Sequence, residues 1–185
     1  MYNIQSTRLK LIPLTHHQLL LSVNNWSKFE QNLDLNPSTP LVDKAFKIEM
    51  IEAMHKYWLP NTLAYPDLYC WYTNWQIVLK STNSIIGTIG LGGYPDDYGS
   101  TSIGYMIYKD KQGNGYATEA LTTVLNWGFA FSILKKVNAD TQSSNKASQR
   151  VLLKTGFKYT HTEGGALYYE VTKDRIAQNN VSLTY

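Results

Sequence analysis

The sequence predicts an α+β fold, a mainly antiparallel sheet interrupted by helices, and three observations carry that expectation. Residues 75–108 contain three short, β-branched or alternating runs separated by turn residues. Ala117, Ala120, Leu121, Val124, Leu125 and Gly128 lie at the i, i+3, i+4, i+7 spacing of one buried helix face. From 103 to 141 a strand, a glycine loop, that helix and another strand follow one another, the order of a right-handed parallel crossover within the sheet.

In chain order, 9–14 is a short alternating apolar run closed by Pro13, and Thr15 is a suitable N-cap for a helix carrying Leu19, Leu20 and Val23. A polar, proline-marked stretch follows at 36–40. Helical spacing resumes from Asp43 through Ala45, Ile48, Ile51 and Met54 and is expected to break at Pro60. Beyond a Tyr/Trp-rich passage, strands are expected at 75–79, 85–91 and 102–108, with 81–84 as a hairpin turn. After the main helix, 136–141 reads as a strand and 145–155 as a helix ending at Gly156, a natural left-handed cap. Strands at 157–162 and 167–171 close the chain.

Composition narrows the function classes. A chain of 185 residues favours one domain, 1–185, and 43% apolar with 17% charged residues is enough to build its core. Lys+Arg 17 against Asp+Glu 14 gives +3, too mild a balance to announce a nucleic-acid or membrane-surface partner. The single cysteine, Cys70, has no internal disulfide partner, and the four histidines lack H-E-x-x-H spacing, so no metal site is expected. Residues 1–13 hold no long apolar leader segment, and no run approaches the roughly 18 apolar residues of a membrane span. The expected location is therefore cytoplasmic.

The chemically informative segment is Gln112-Gly113-Asn114-Gly115-Tyr116-Ala117, between a strand and the N-terminus of the main helix. Glycines let backbone approach a ligand closely, and the free N–H groups and dipole of a helix N-terminus favour an anion such as a pyrophosphate. A plain strand-to-helix turn uses the same residue types. A Walker A loop fails on spacing and on the absent Lys-Ser/Thr pair. A dinucleotide fingerprint fits Gly113-x-Gly115 but requires a glycine where Thr118 stands, with Asp140 as the ribose acid. The third reading is a Q/R-x-x-G-x-G/A loop for the pyrophosphate of coenzyme A.

The run Ile103-Gly104-Tyr105-Met106-Ile107, then Gly113-Asn114-Gly115-Tyr116-Ala117-Thr118-Glu119-Ala120, then Asn145-x-x-Ser148-x-Arg150-Val151-Leu152 with Gly156-Phe157, resembles the GNAT acetyltransferases and specifically their RimJ/RimL-like branch. Thr7-Arg8-Leu9-Lys10-Leu11-Ile12-Pro13-Leu14 is similar to the family's first strand. Trp75-x-Ile77 and Ile86-Gly87-Thr88-Ile89-Gly90 are similar to the next two. The resemblance implies a GNAT-like mixed sheet in which acetyl-CoA wedges between two splayed parallel strands, here 102–108 and 136–141. Amides of Gln112, Gly113, Asn114, Gly115, Tyr116, Ala117 and Thr118 would hold the pyrophosphate. Backbone groups of Met106 and Ile107 would pair with the pantetheine arm, one N–H acting as oxyanion donor.

By the same resemblance Asn145 contacts the pantetheine arm, although its position also makes it a helix N-cap. Ser148 would stand near the coenzyme sulfur and stabilise the departing thiolate. The expected reaction is direct acetyl transfer to a primary amine, a protein N-terminal α-amine or a small amine, without a covalent intermediate. Cys70 lies outside every motif quoted. Many relatives carry Glu immediately before Ile-Gly-Tyr, where this chain has Ser102, so no base can be taken from that position. Asp34, Asp96, Asp97 and Glu163 fall in expected loops as alternative bases or as plain solvated acids, beside proton removal through water. The aromatics from Tyr57 to Trp75 suit a cage for a cationic acceptor, a packed core, or the contact of a homodimer. Competing functions are a non-catalytic CoA-binding regulatory module, favoured by Ser102, and a dinucleotide-binding oxidoreductase.

Overall fold

The computed structural model describes residues 2–174, without the side chain of Ala45; the ends of the expected 1–185 domain lie outside the described residues. Eight strands form one sheet in the order β1-β2-β3-β4-β5-β6-β8-β7. They are β1 (Ile4–Gln5), β2 (Leu9–Pro13), β3 (Trp75–Leu79), β4 (Ser84–Leu91), β5 (Ser100–Ile107), β6 (Lys136–Gln142), β7 (Lys158–Glu163) and β8 (Ala166–Thr172). Every neighbouring pair is antiparallel except β5 and β6. The β3–β4 hairpin turns where expected, with Asn83 at φ 46°, a left-handed position that Asn tolerates.

The crossover from β5 to β6 runs through α6 (Tyr116–Phe129), whose Ala120, Leu121, Val124, Leu125 and Gly128 are buried as their spacing requires. Together with Leu9, Leu11, Trp75, Ile77, Ile86 and Ile89 they make the core on one face of the sheet. The parallel pairing is short: Ser100, Thr101 and Ser102 lie opposite Lys136, Val137 and Asn138, and beyond that the strands part. The resulting wedge is flanked by α7 (Lys146–Lys154). Asn145 caps that helix by accepting from the Ser148 N–H at 3.0 Å, and Gly156 follows it at φ 91°.

The opposite face carries a second core built from Ile12, Leu14, Leu19, Phe29, Val78, Ile85 and Tyr108. Its helices are α1 (His16–Asn24), α2 (Trp26–Asn32) and α3 (Lys44–Ala53). The expected Thr15 cap is a full capping box: Thr15 Oγ1 accepts from the Gln18 N–H, and Gln18 Oε1 accepts from the Thr15 N–H. Buried Glu30 accepts from the Ser38 N–H and hydroxyl, both at 2.7 Å, and so ties the polar 36–40 stretch down.

Two expectations need correction. The helix from Asp43 does not break at Pro60; it widens into a π turn, Met54–Trp58, and resumes as α4 (Leu59–Ala64) with Pro60 in its first turn. Pro60 brings no N–H to that turn, and the wider π spacing before it, in which the Leu59 N–H reaches the Met54 carbonyl, carries the helix past it. Nor is the apolar face of α3 buried, since Ile48 and Ile51 are 53% and 51% exposed and, among the described side chains of that spacing, only Met54, in the π turn, joins a core. The aromatic passage splits between roles. A short helix, α5 (Tyr69–Tyr72), sends Trp71 against Trp127 at 4.7 Å between ring centres, and Trp75 lies 5.0 Å from the same ring. Those indoles are core. Tyr57 and Trp58 face a cleft instead.

Candidate active site

Gly113 and Gly115 adopt φ 80° and 79°, a backbone that excludes most side chains at low cost. A Cβ on Gly113 would meet nothing within 4 Å, and one on Gly115 only Arg8 Nη2 at 3.5 Å, so the loop presents bare backbone to open space. Helix geometry leaves the first N–H groups of α6 without intrahelical acceptors. The loop is held from behind. Gln112 Nε2 donates to the Ile107 carbonyl at 2.9 Å, and Asn114 Nδ2 donates to the carbonyls of Lys111 and Gln112.

Arg8, at the foot of β2, secures the same corner. Its Nε pairs with Glu119 Oε2 at 2.7 Å, its Nη1 donates to the Asn114 carbonyl, and its guanidinium stacks over Tyr116. Burial alone would raise the Glu119 carboxyl. Hydrogen bonds from the Arg8 N–H, the Ser6 hydroxyl and the Arg8 side chain, with the Arg8 charge, outweigh that and hold it below the usual range. The acid therefore stays ionised and fixes the helix terminus.

A cavity of about 440 Å³ opens over this loop, lined by Met106, Ile107, Gln112, Gly113, Gly115, Tyr116, Ala117, Thr118, Asn145 and Ser148. Of the expected coenzyme contacts only Asn114 stands outside the lining, its carboxamide being spent on the loop itself. Lys111, Arg150 and Lys154 also line it, cations that the sequence reading did not assign. A bare glycine cradle, free helix amides, a wedge between strands and three cations suit a pyrophosphate with a pantetheine arm.

Where β5 and β6 part, a second chamber continues the first past Ser148. Ser148 Oγ lies 3.1 Å from the Tyr105 hydroxyl. Burial pushes the Tyr105 phenol up, partly offset by the Ser148 hydrogen bond, so it remains protonated at neutral pH and can donate. Tyr105 was legible only as part of the quoted run; its partnership with Ser148 spans 43 residues. Cys70 lines none of these spaces, and burial raises its thiol, which disfavours the nucleophilic thiolate.

The wedge meets a third space, of about 270 Å³, at Gly104 and Tyr105 of β5 and Phe46 and Glu49 of α3. A Cβ on Gly104 would find no atom within 4 Å, so the passage is open there. Ser102 lines the same cleft, and Glu49 is its only carboxylate among the described residues. Asp34, Asp96, Asp97 and Glu163 lie outside these three spaces, and Glu163 is not in a loop but ends β7, paired with Ala166 of β8. Asp96 Oδ1 instead accepts from the Tyr98 and Ser100 N–H groups, which shapes the entry to β5. Glu49 had no sequence signal, being one acid on a helix whose apolar spacing misled. Among the described residues no group of three potential metal ligands comes together, and no helix is long and apolar enough to cross a membrane.

Splayed strands, a glycine loop and flanking helices together define the acetyltransferase class of α+β fold. A family model described as an acetyltransferase (GNAT) domain matches residues 8–158. The chain belongs to the GNAT family. Among curated relatives, the uncharacterized N-acetyltransferase YoaA of Bacillus subtilis (strain 168) is 36% identical over 84 residues, 45% of this chain and 48% of YoaA. The match thus spans about half the length of that relative. Among solved structures, apo FdhC, a nucleotide-linked sugar GNAT, superposes with TM-score 0.67 at 17% identity over 98% of this chain and 96% of its own. RimJ of Mycobacterium smegmatis, in complex with CoA-disulfide, gives TM-score 0.63 at 20% identity over 98% and 94%.

Proposed function

We propose that the protein transfers acetyl from acetyl-CoA directly to a primary amine. The observation that carries this reading is the meeting of two spaces at Gly104 and Tyr105: the wedge beside the glycine loop and the cleft under α3. Acetyl-CoA supplies an activated acyl thioester. Amides at the start of α6, with Lys111, Arg150 and Lys154 nearby, bind the pyrophosphate end and orient the rest. The Ser148–Tyr105 hydroxyl pair gives a hydrogen bond to the sulfur as it gains negative charge; a coenzyme thiol resembling cysteine, with pKa about 8.5, needs no stronger acid. Glu49 faces the cleft from α3 and takes the proton that the acceptor ammonium must lose. The acceptor is a protein N-terminal α-amine or a small amine, and an α-amino group near pKa 7.7–8.0 asks less of Glu49 than a lysine near about 10.4.

The test is acetyl-CoA turnover against a panel of peptides and small amines, read by mass spectrometry, with Glu49→Gln alongside. Acetylated amine with a loss of about 100-fold or more in kcat for Glu49→Gln supports the assignment. Wild-type kcat in that variant removes Glu49. A second reading, a regulatory module that binds CoA without turnover, is favoured by Ser102 in place of the family's glutamate, and binding with no product on any amine would establish it.

A further inference from the structure

The cleft under α3 is one-sided in charge. Its floor is bare backbone, since Gly90 and Gly104 stand opposite one another across β4 and β5. Phe46, Glu49 and Met50 of α3 and Tyr57 and Trp58 of the π turn wall it from above. Among the described residues no lysine, arginine or histidine lines it, and Glu49 takes part in no ion pair. The wedge next to it adds Asp43, Asp140 and Lys109, but the Lys109 ammonium is taken up by Asp43 at 2.6 Å. Lys47 and His55 line a separate chamber of about 490 Å³ under α1, α2 and α3, not the cleft. An anion placed in the cleft therefore meets a carboxylate and no counter-charge.

Two neutral polar side chains in the same wall are unused. Asn74 and Thr88 are only 4% and 6% exposed, yet neither side chain makes a hydrogen bond within the described residues. Buried hydroxyls close by are paired: Thr73 donates to the Leu14 carbonyl at 2.6 Å and Thr101 to the Gly93 carbonyl at 2.8 Å. Nor are Asn74 and Thr88 sealed in. Among the described residues the side-chain polar atoms shut away without a partner are Trp26 Nε1 and Gln76 Oε1, so the Asn74 carboxamide and the Thr88 hydroxyl reach open space. Both residues line the cleft, at the seam where it meets the chamber. Buried polar groups are as a rule paired, and these two have a ligand-accessible space in which to find a partner.

We propose that Asn74, with Thr88 beside it, is a specificity residue that reads the group next to the acceptor amine and selects an uncharged amide over a carboxylate. That the ligand is the acceptor rests on the acetyl-transfer reading above. The Asn74 carboxamide both donates and accepts, so it pairs with an amide in both directions. A branched alkyl group of the same shape leaves it unpaired. A carboxylate accepts from Asn74 but brings its charge into the space that Glu49 occupies, with no cation to offset it. Amines with an amide one or two carbons away are thus accepted, and the corresponding free acids are rejected.

The test measures binding rather than turnover. Glycinamide and 3-aminopropanamide, the matching free acids glycine and 3-aminopropanoate, and the isosteric alkyl amines isobutylamine and isopentylamine are titrated into the full chain by NMR, with and without saturating CoA. At about pH 6 every member is an ammonium ion, so differences in amine basicity do not enter. The amides are expected to bind about fivefold or more tightly than the alkyl amines, and about tenfold or more tightly than the acids. In Asn74→Leu the advantage over the alkyl amines falls to about twofold or less, with the Kd for CoA unchanged. Ser102→Lys, at an exposed position of β5 that lines the cleft, supplies the missing cation and shrinks the disadvantage of the acids about fivefold or more. Acids that bind as well as the amides in the unaltered protein overturn the proposal without recourse to any variant, and so does a failure of every amine to bind. An amide advantage that survives in folded Asn74→Leu, or a penalty on the acids that Ser102→Lys leaves untouched, overturns it as well. CoA binding without the amide preference sinks this assignment alone; the preference without CoA binding sinks the acetyl-transfer reading alone.

Discussion

Replacing Gly115 with valine separates the fold from its anion site. At φ 79° the residue sits where a β-branched side chain is strained, a cost of about 1–3 kcal/mol. The added Cβ itself has room, with Arg8 Nη2 at 3.5 Å as its one near neighbour. Folding is therefore weakened but retained, since α6 stays anchored by its buried face and by the Arg8–Glu119 pair at 2.7 Å. To relieve the strain the loop must turn, and the amides that open α6 turn with it. Losing two hydrogen bonds to a charged phosphate removes about 3–4 kcal/mol, a rise in Kd of about 100- to 1,000-fold. Calorimetric titration with acetyl-CoA reads the Kd, and circular dichroism checks the fold. An affinity within about threefold of the parent in a folded Gly115→Val would refute the loop assignment.

Three further substitutions probe other parts of the site. Ser148→Ala should lower kcat by about tenfold with little change in acetyl-CoA affinity, and Tyr105→Phe should act in the same direction. Because the two hydroxyls share one hydrogen bond, the double variant should lose less than the product of the single losses, and a fully multiplicative loss would show them acting independently. Glu119→Gln should destabilise by about 1–3 kcal/mol at neutral pH, measured by denaturant unfolding. The folded-state pKa of Glu119 is depressed, so its contribution is present above the unfolded value near about 4.3 and fades as pH falls through the folded value. The gap between parent and variant should therefore close in acid; a gap constant down to about pH 2 would contradict the ion-pair account.

The half of the chain around the wedge was readable because several local signals agree there. Apolar spacing from Ala117 to Gly128, glycines at 113 and 115, the Asn145 cap and the Gly156 stop each specify backbone on their own, and the structure uses all of them. The N-terminal helices were less so. Asn25 accepts from the Lys28 N–H and starts α2 one residue after α1 ends, so no break in the spacing separates the two helices. Pro60 looked like a stop because periodicity cannot register a π turn that absorbs the change of phase before it. The spacing of Ile48 and Ile51 predicted a helix and got one, yet it could not reveal that this helix roofs open chambers instead of a filled core. Site residues followed the same division. The loop and Ser148 came from a contiguous motif, whereas Glu49 and the Tyr105–Ser148 contact arise from long-range placement that no spacing encodes.

The most direct measurement is calorimetric titration of the purified protein with acetyl-CoA, CoA, NAD and ATP in parallel. The expected result is saturable binding of acetyl-CoA and CoA, lost in Gly115→Val, with neither NAD nor ATP competing. Preference for NAD, or no CoA binding by a folded protein, would contradict the assignment of the wedge between β5 and β6 as the acetyl-donor site.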